Sequence, residues 1–337
     1  MNVQEALGHL LERRDLSMED MNAVMQQVMT GEATPSQIGG LLVALRMKGE
    51  TVDEVAAAAQ VMRELASSVK ADPLAIDIVG TGGDSSSTFN ISTSCSIVAA
   101  AAGVKVAKHG NRSVSSKSGA ADLLEAAGVN IELDSDAVAR CVEEVGVGFM
   151  FAPRHHSAMK HAIGPRREMG VRTVFNLLGP LTNPAGIRRQ LLGVYDAAWV
   201  KPIADVLNKL GSEHVLVVHG DGGMDEISLS GKTHVAELKN GQVTEYDIEP
   251  ELYDIKPQAL EAIQVDGPQQ SLAMIQSVFN NEDGAAKDIV LLNSGAALYV
   301  GGAVDSIKDG VELARQTLAS GAAAAKLKAL ADFSQEL

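Results

Sequence analysis

Asp225 and Glu226 are adjacent carboxylates closing a glycine-rich stretch, His219-Gly220-Asp221-Gly222-Gly223-Met224, and suit a hard divalent cation. Magnesium keeps much of its water and takes few protein carboxylates, so a loop diacid plus substrate oxygens meets its needs. A solvated acidic turn has the same appearance. A second stretch, Gly80-Thr81-Gly82-Gly83-Asp84, runs through Thr88 to Asn90-Ile91-Ser92-Thr93. Its glycines let the backbone approach an anion, and its hydroxyls and the following helix N-terminus add donors. A tight strand-to-helix turn with a polar cap would use the same residues. The third stretch is Lys108-His109-Gly110-Asn111-Arg112-Ser113-Val114-Ser115-Ser116-Lys117-Ser118-Gly119, with three cations and four hydroxyls in twelve residues. On an acidic chain it reads as a local phosphate pocket, or as a surface loop of ordinary composition. Each stretch follows an apolar run, and together they describe a site for a polyphosphate with magnesium.

Two common phosphate loops fail on spacing. GxGxxG would place glycine at Ser85, and no segment supplies GxxxxGK[ST], which disfavours a dinucleotide oxidoreductase and a P-loop NTPase. A further segment holds Arg154, His155, His156, Lys160 and His161, then Arg166-Arg167, Arg172-Thr173 and Asn176 to Pro184. No cysteine or suitably spaced acid completes a transition-metal set there. The arginines matter more, because a guanidinium fork can pin a small organic carboxylate at two points.

The elements that must position these residues fall into two blocks. Residues 1–70 read as amphipathic helices: Val3, Ala6, Leu7, Leu10 and Leu11 share one face, as do Met21, Val24, Met25, Val28 and Met29. Ser17 with Asp20, Thr34-Pro35 with Gln37, and Thr51 with Glu54 mark helix starts, while Gly31 and Gly49 mark stops. This methionine-rich block must bury its faces against the main domain or a second copy of itself. From residue 71 onward short strands, Ile76–Val79, Val104–Ala107, Gly148–Ala152, Leu191–Val194 and Val215–Val218, alternate with helices. Asn240-Gly241 between two strand patterns predicts a hairpin, and the tail from about Pro268 returns to helices. The expectation is an α/β fold: a mainly parallel central sheet flanked by helices in residues 71–337, with a smaller all-helical N-terminal domain, residues 1–70, joined in space by helices from about 165–190.

A chain of 337 residues with 46% hydrophobic and 21% charged residues has globular composition, and its mean hydropathy is +0.06. Its net charge of −15 and 3% aromatic content argue against a nucleic-acid or anionic-membrane partner, so any anionic ligand must be held by local donors. Ile97–Val104 is cut off by Lys105, short of the roughly 18 to 20 residues that span a bilayer. The start MNVQEALGHLLERRD lacks an apolar h-region. Cys95 and Cys141 stand outside any CxxC pair. Both observations fit a cytoplasmic location.

GTGGD, NIST, KHGNR, SGAADLLEAAG, HHSAMKH with RREMGVRTVFNLLGPLTNP, and GDGGMDE stand in an order and spacing that resemble the anthranilate phosphoribosyltransferase family of tryptophan biosynthesis, over nearly the whole chain. The resemblance implies a nucleoside phosphorylase/phosphoribosyltransferase-like architecture, a homodimer through the helical domain and a site in the cleft between domains. Its implied ligands are phosphoribosyl pyrophosphate, anthranilate and Mg2+, two ions per subunit. Carried over by motif, Gly80, Gly83, Asp84, Thr88, Asn90, Ile91, Ser92, Thr93, Lys108, His109, Gly110, Asn111, Arg112, Ser113, Val114, Ser115, Ser116 and Ala120 are expected around phosphoribosyl pyrophosphate. Ser92, Asp225 and Glu226 are similar to the magnesium ligands. Gly80, Asn111, His156, Arg166 and Gly179 are expected to meet anthranilate, with Arg166 or Asn111 near its carboxylate. Lys108, Asn111 and Arg166 carry the implied catalytic roles.

Ala120 stands where family members often carry a hydroxyl, and Gly164-Pro165 replaces a more usual Pro-Val before Arg166. A pyrimidine nucleoside phosphorylase of similar fold is the nearest rival, but its lysine-histidine-serine-threonine-glycine-glycine loop is absent: Ile78-Val79-Gly80 precede Thr81-Gly82-Gly83. A nucleic-acid-binding relative without transferase activity would require a basic groove, against the net charge of this chain.

Overall fold

The computed structural model describes residues 1–84, 86–113 and 117–337. The chain opens with α1 (Val3–Leu11), α2 (Met18–Thr30), α3 (Pro35–Lys48) and α4 (Val52–Glu64). Side chains fix where these helices begin. The Asp20 N–H donates to Ser17 Oγ at 3.1 Å, while Thr34 with Gln37 and Thr51 with Glu54 form reciprocal capping boxes. Asn2 with Glu5 forms a further box at α1. α2 ends at Gly31 with φ +85°, a left-handed turn that glycine adopts without strain. The buried faces, among them Met21, Val24, Met25, Ile38, Leu41, Leu45, Val55 and Val61, form one core. Ala162 from the helix Lys160–Met169 and Phe175, Leu177 and Leu178 from the helix Phe175–Leu178 join it.

The second part is a seven-stranded sheet of β1 (Ile76–Gly80), β2 (Val106–Gly110), β3 (Val147–Phe151), β4 (Arg189–Gly193), β5 (His214–Gly220), β6 (Thr233–Lys239) and β7 (Gln242–Ile248). Its order is β3-β2-β1-β4-β5-β6-β7. β3 through β5 are parallel, and β5, β6 and β7 are antiparallel neighbours. The β6–β7 hairpin turns at Asn240-Gly241, where φ is +54° and +74°, as a tight hairpin with right-handed strand twist requires.

Period-two alternation makes the sheet the wall between two cores. Leu191, Leu216, Val218 and Val235 face the core shared with α5 (Ile91–Ala101) and the helix Ala285–Val300. Leu192, Val215, Val217, Ala236 and Leu238 face the helix Val200–Lys209 and, beyond it, the helical domain. The chain therefore carries a small helical N-terminal domain and an α/β domain with a mainly parallel sheet.

Strand ends differ from expectation by one to three residues, and two of the differences take in site residues. β2 begins at Val106 and runs on to Gly110, so Lys108, His109 and Gly110 are strand residues rather than loop residues. They pair with Phe149, Met150 and Phe151 of β3, and the His109 N–H donates to the buried Asp77 Oδ1 at 3.2 Å. The ladder and the buried acid satisfy polar groups that sequence alone assigns to solvent. His219 and Gly220 likewise belong to β5, opposite His234 and Thr233.

The strand order reverses between β2 and β4 on either side of β1, which creates a crevice at the carboxyl ends of the parallel strands. Gly80 and Gly193 are register partners there. A Cβ at Gly193 would lie 1.5 Å from the Asp225 carbonyl oxygen, and one at Gly80 would lie 2.2 Å from Asp225 Oδ2. Only glycine lets the Asp225 backbone cross these strand ends. Gly193→Ala is expected to cost about 1–3 kcal/mol through overpacking and backbone displacement. The urea midpoint of unfolding measures it, and an unchanged midpoint would show that the crossing is not tight.

Candidate active site

Three chain segments meet at the crevice. The loop after β1 turns through Gly82 and Gly83 at φ +68° and +75°, and the Gly82 N–H donates to Asp225 Oδ2 at 2.7 Å. α5 begins beside it, with the Ser92 N–H facing the Glu226 carboxylate. Beneath both lies Lys108, only 3% exposed, whose Nζ donates to the Ile78 carbonyl at 2.5 Å and to Ser92 Oγ at 3.3 Å. The Asp77 carboxylate adds negative charge to the same interior. Asp77 is fully buried and accepts from Asn183 Nδ2 at 2.7 Å.

Electrostatics at this point are unusual because like charges share a poorly hydrated space. Asp225 and Glu226 keep partial access to solvent through the crevice but are otherwise surrounded by protein. Burial, followed by repulsion from Asp84, pushes the Asp225 carboxyl up to about 7. Burial and the Asp225 charge push Glu226 well above the carboxylate range, with Lys108 and Ser92 pulling the other way. Asp77 is raised to about 6 by burial, against Lys108, Asn183 and His109. Burial lowers Lys108 despite the acids around it.

The residues present fit a magnesium ion. Asp225 and Glu226 offer hard oxygens, and their mutual repulsion is what a divalent cation relieves. Among the described residues no group of three His, Cys, Asp or Glu side chains is arranged to hold a metal ion. Two protein carboxylates completed by water and substrate oxygens match magnesium's habit.

The expected loop residues behave unequally. The Asn90 side chain is engaged within the protein: its Oδ1 accepts from Ser118 Oγ at 2.7 Å and Ser271 Oγ at 2.8 Å, and its Nδ2 donates to the Ser118 carbonyl at 3.0 Å. It ties two loops together and does not cap α5. Arg112 is taken up by Glu125, at 2.8 Å and 3.1 Å, and by Asp122 at 3.1 Å. Asp122, in α6 (Ala120–Ala126), also accepts from the Ser113 and Gly119 N–H groups at 2.9 and 3.0 Å, closing the neck of the loop. Of the three cations in this stretch, Lys108 is buried and Arg112 is paired, which alters the expected positive pocket. Ile91 and Thr93 are buried, whereas Gly83, Asp84 and Thr88 are partly exposed in the first loop. Val114, Ser115 and Ser116 lie outside the described residues.

On the other side of the crevice the His109 and His156 rings stand 5.1 Å apart, and the His109 ring adjoins the Gly179 backbone. Burial, then the charge of His155, lowers His156 to about 4, so it is neutral at physiological pH. The Nε2 atoms of both rings are buried without a hydrogen-bond partner. Arg166 lies 5.0 Å over the Phe175 ring, and burial lowers its pKa. No carboxylate pairs with it among the described residues. No hydrogen bond or ring contact among those residues joins Arg166 or Asn111 to the diacid; Asn111 Oδ1 accepts from the Arg112 N–H at 2.7 Å.

The chain is similar to known proteins over nearly its whole length. Residues 4–66 match the glycosyl transferase family helical bundle domain, and residues 72–324 match the glycosyl transferase family a/b domain. Anthranilate phosphoribosyltransferase of Thioalkalivibrio sulfidiphilus is 58% identical over 334 residues, 99% of each chain. The chain belongs to the anthranilate phosphoribosyltransferase family. The enzyme of that name from Cellvibrio japonicus is 55% identical across all of both chains. The crystal structure of the family member from Thermus thermophilus superposes with a TM-score of 0.93 at 44% identity, covering 98% of this chain and 99% of that one. A member from Saccharomyces cerevisiae, in complex with PRPP and Mg, gives 0.91 at 26% identity over 99% and 98% of the two chains. Family members are pentosyltransferases, and no helix among the described residues is long and apolar enough to cross a membrane.

Sequence reasoning missed Asp77, although an acid inside the apolar run Ile76–Val79 is itself a signal. It also missed the roles of Asp122 and Ser271, which show only once the loops are folded together.

A carboxyl raised on folding makes the folded protein bind more protons than the unfolded chain between its ordinary value near 3.8 and about 7, so stability falls as pH rises across that window. Asp225→Asn in metal-free buffer should therefore melt above the parent protein at about pH 8, with the gap narrowing as pH falls through 5 toward about 4. Magnesium should raise the melting temperature of the parent at the higher pH but not that of the variant. Equal magnesium shifts in both would retire Asp225 as a ligand.

Proposed function

We propose that this chain transfers the 5-phosphoribosyl group of phosphoribosyl pyrophosphate to the amine of anthranilate, giving N-(5-phosphoribosyl)anthranilate and pyrophosphate, the second step of tryptophan biosynthesis from chorismate. The observation that carries this reading is the convergence of the Gly82 turn, the α5 N-terminus, Lys108 and the Asp225-Glu226 pair at the switch point of a parallel sheet. The ribose C1–O bond to pyrophosphate breaks as the C1–N bond forms, and the leaving group takes negative charge. In this reading backbone N–H groups of the glycine loop and of the start of α5 would hold that charge, those of Gly82 and Ser92 exchanging Asp225 and Glu226 for it, with Lys108 beneath them. Magnesium, two ions in this reading, would be held by Asp225 and Glu226 with Ser92, and supplies charge neutralisation to the diphosphate when bound.

Arg166 accounts for the acceptor. Its half-buried guanidinium, stacked on Phe175 and free of acidic partners among the described residues, suits the anthranilate carboxylate. In this reading Asn111, His156 and Gly179 would also meet anthranilate. An aryl amine attacks in its neutral form and loses its proton afterwards, so no general base is required. The neutral state of His156 agrees with this.

We read residues 1–70 with the helices from about 165–190 as one domain and the rest of 71–337 as the other. Leu11, 78% exposed at the end of α1, and Met47 and Val43, 72% and 40% exposed one turn apart on α3, form an apolar face that suits a second copy of this chain. The working form in this reading is a cytoplasmic homodimer, without nucleic-acid or membrane partners.

Loss of anthranilate fluorescence should require Mg2+, phosphoribosyl pyrophosphate and protein together; loss without phosphoribosyl pyrophosphate would overturn the assignment. Arg166→Ala should raise KM for anthranilate about tenfold or more, the scale of a charge-assisted pair, and leave KM for phosphoribosyl pyrophosphate unchanged. Light scattering should give twice the chain mass, and Val43→Glu with Met47→Glu should halve it. A parent protein that elutes as a monomer would contradict the dimer.

A further inference from the structure

We propose that Arg172 is a positioning residue that clasps the glycine loop to the helical side of the crevice and so fixes the loop before substrate arrives. Its NH2 group donates to the Gly83 carbonyl, and its guanidinium plane lies 4.2 Å over the Tyr195 ring. Tyr195 is tied to the same loop from below. Its N–H donates to Thr81 Oγ1 at 3.0 Å, and the Thr81 N–H donates to the Gly193 carbonyl at 3.0 Å. Arg172, Tyr195, Thr81 and Gly83 thus close a ring that holds both ends of the Thr81–Gly83 turn.

The helical end of the clasp is equally anchored. Arg172 stands three residues beyond the helix Lys160–Met169, after its Gly170 cap and Val171, and the Met169 sulfur of that helix packs near Gly39 of α3. Arg172 directly precedes the buried Thr173 and Val174 and the helix Phe175–Leu178 of the helical core. Among the described residues the contacts of its guanidinium are the Gly83 carbonyl and the Tyr195 ring. A planar guanidinium can stack by its face and donate by its edge at once, which a lysine ammonium cannot do.

The loop needs such a restraint. Gly82 and Gly83 are successive glycines at positive φ, the residue type with the most conformational freedom to lose on ordering. A loop already ordered binds an anion without that loss. Arg172 acts through Gly83, away from the reacting atoms. The inference rests on the reading of this loop as the diphosphate cradle, but the clasp itself can be measured without substrate.

Amide hydrogen exchange on the substrate-free protein is the direct test, with Arg172→Ala, Arg172→Lys and Tyr195→Leu compared with the parent. In the alanine and leucine variants, exchange in the segment 80–84 should accelerate while α5 and the rest of β1 stay protected, and melting temperatures should stay close to that of the parent. In steady-state assays Arg172→Ala should raise KM for phosphoribosyl pyrophosphate roughly tenfold, the effect of losing one charge-assisted hydrogen bond, with kcat and the anthranilate KM little changed. Millimolar guanidinium ion should restore part of the loss, and Arg172→Lys should fall in between. Unchanged exchange at 80–84 in Arg172→Ala, or equal rises in both KM values with a lowered melting temperature, would overturn the clasp. Faster exchange in a protein whose parent form shows no turnover would uphold the clasp and count against the function.

Discussion

Four ionisable groups, the buried Asp77 and Lys108 and the partly exposed Asp225 and Glu226, lie close together in and beneath the crevice at the parallel strand ends. Most of the local structure is arranged around that constraint. Lys108 offsets part of the acid charge, but it is one cation against three carboxylates, with Asp84 close by. Asn183 and the His109 N–H hold Asp77, while Gly82 holds Asp225. An interior with excess negative charge is costly as it stands, and a bound divalent cation makes it favourable.

The fold provides this cluster through absence as much as presence. Without side chains at Gly80 and Gly193, the Asp225 segment can lie across two strand ends and bring its carboxylate against the glycine loop. Elsewhere the loops are set by polar residues engaged with one another. Asn90 joins Ser118 to Ser271 across distant parts of the chain, and Asp122 closes the neck between Ser113 and Gly119. These are rigid supports around a region whose chemistry depends on placement.

What was legible in the sequence was local. Ser17, Thr34 and Thr51 announce their helices because cap and capped group lie three residues apart, and Asn240-Gly241 fixes its hairpin for the same reason. The strand alternation and the motifs after β1 and β5 gave the fold class and the diacid. The true end of β2 was not legible, because the burial of Lys108 depends on Asp77 in another strand and on the ladder to β3. Arg112 looked like a free phosphate donor because its partner Glu125 becomes a neighbour only after the loop folds back onto α6. In each case the deciding interaction joined segments that a linear pattern does not connect.

That difference changes how anion recognition must work. With Arg112 paired and Lys108 committed beneath the site, side-chain cations supply less of the field at this crevice than the composition of the loop suggests. A diphosphate entering alone would meet Asp84, Asp225 and Glu226 before any unpaired guanidinium of that loop. Backbone N–H groups carry partial charge only, and ionising Asp225 and Glu226, whose carboxyls are both pushed toward the protonated form, needs a compensating cation. In the proposed reading of this crevice the missing positive charge arrives with the ligand, which makes diphosphate and divalent cation mutually dependent there. An acidic protein can thereby hold a highly charged anion without a basic surface, and can release it once its charge is no longer shared.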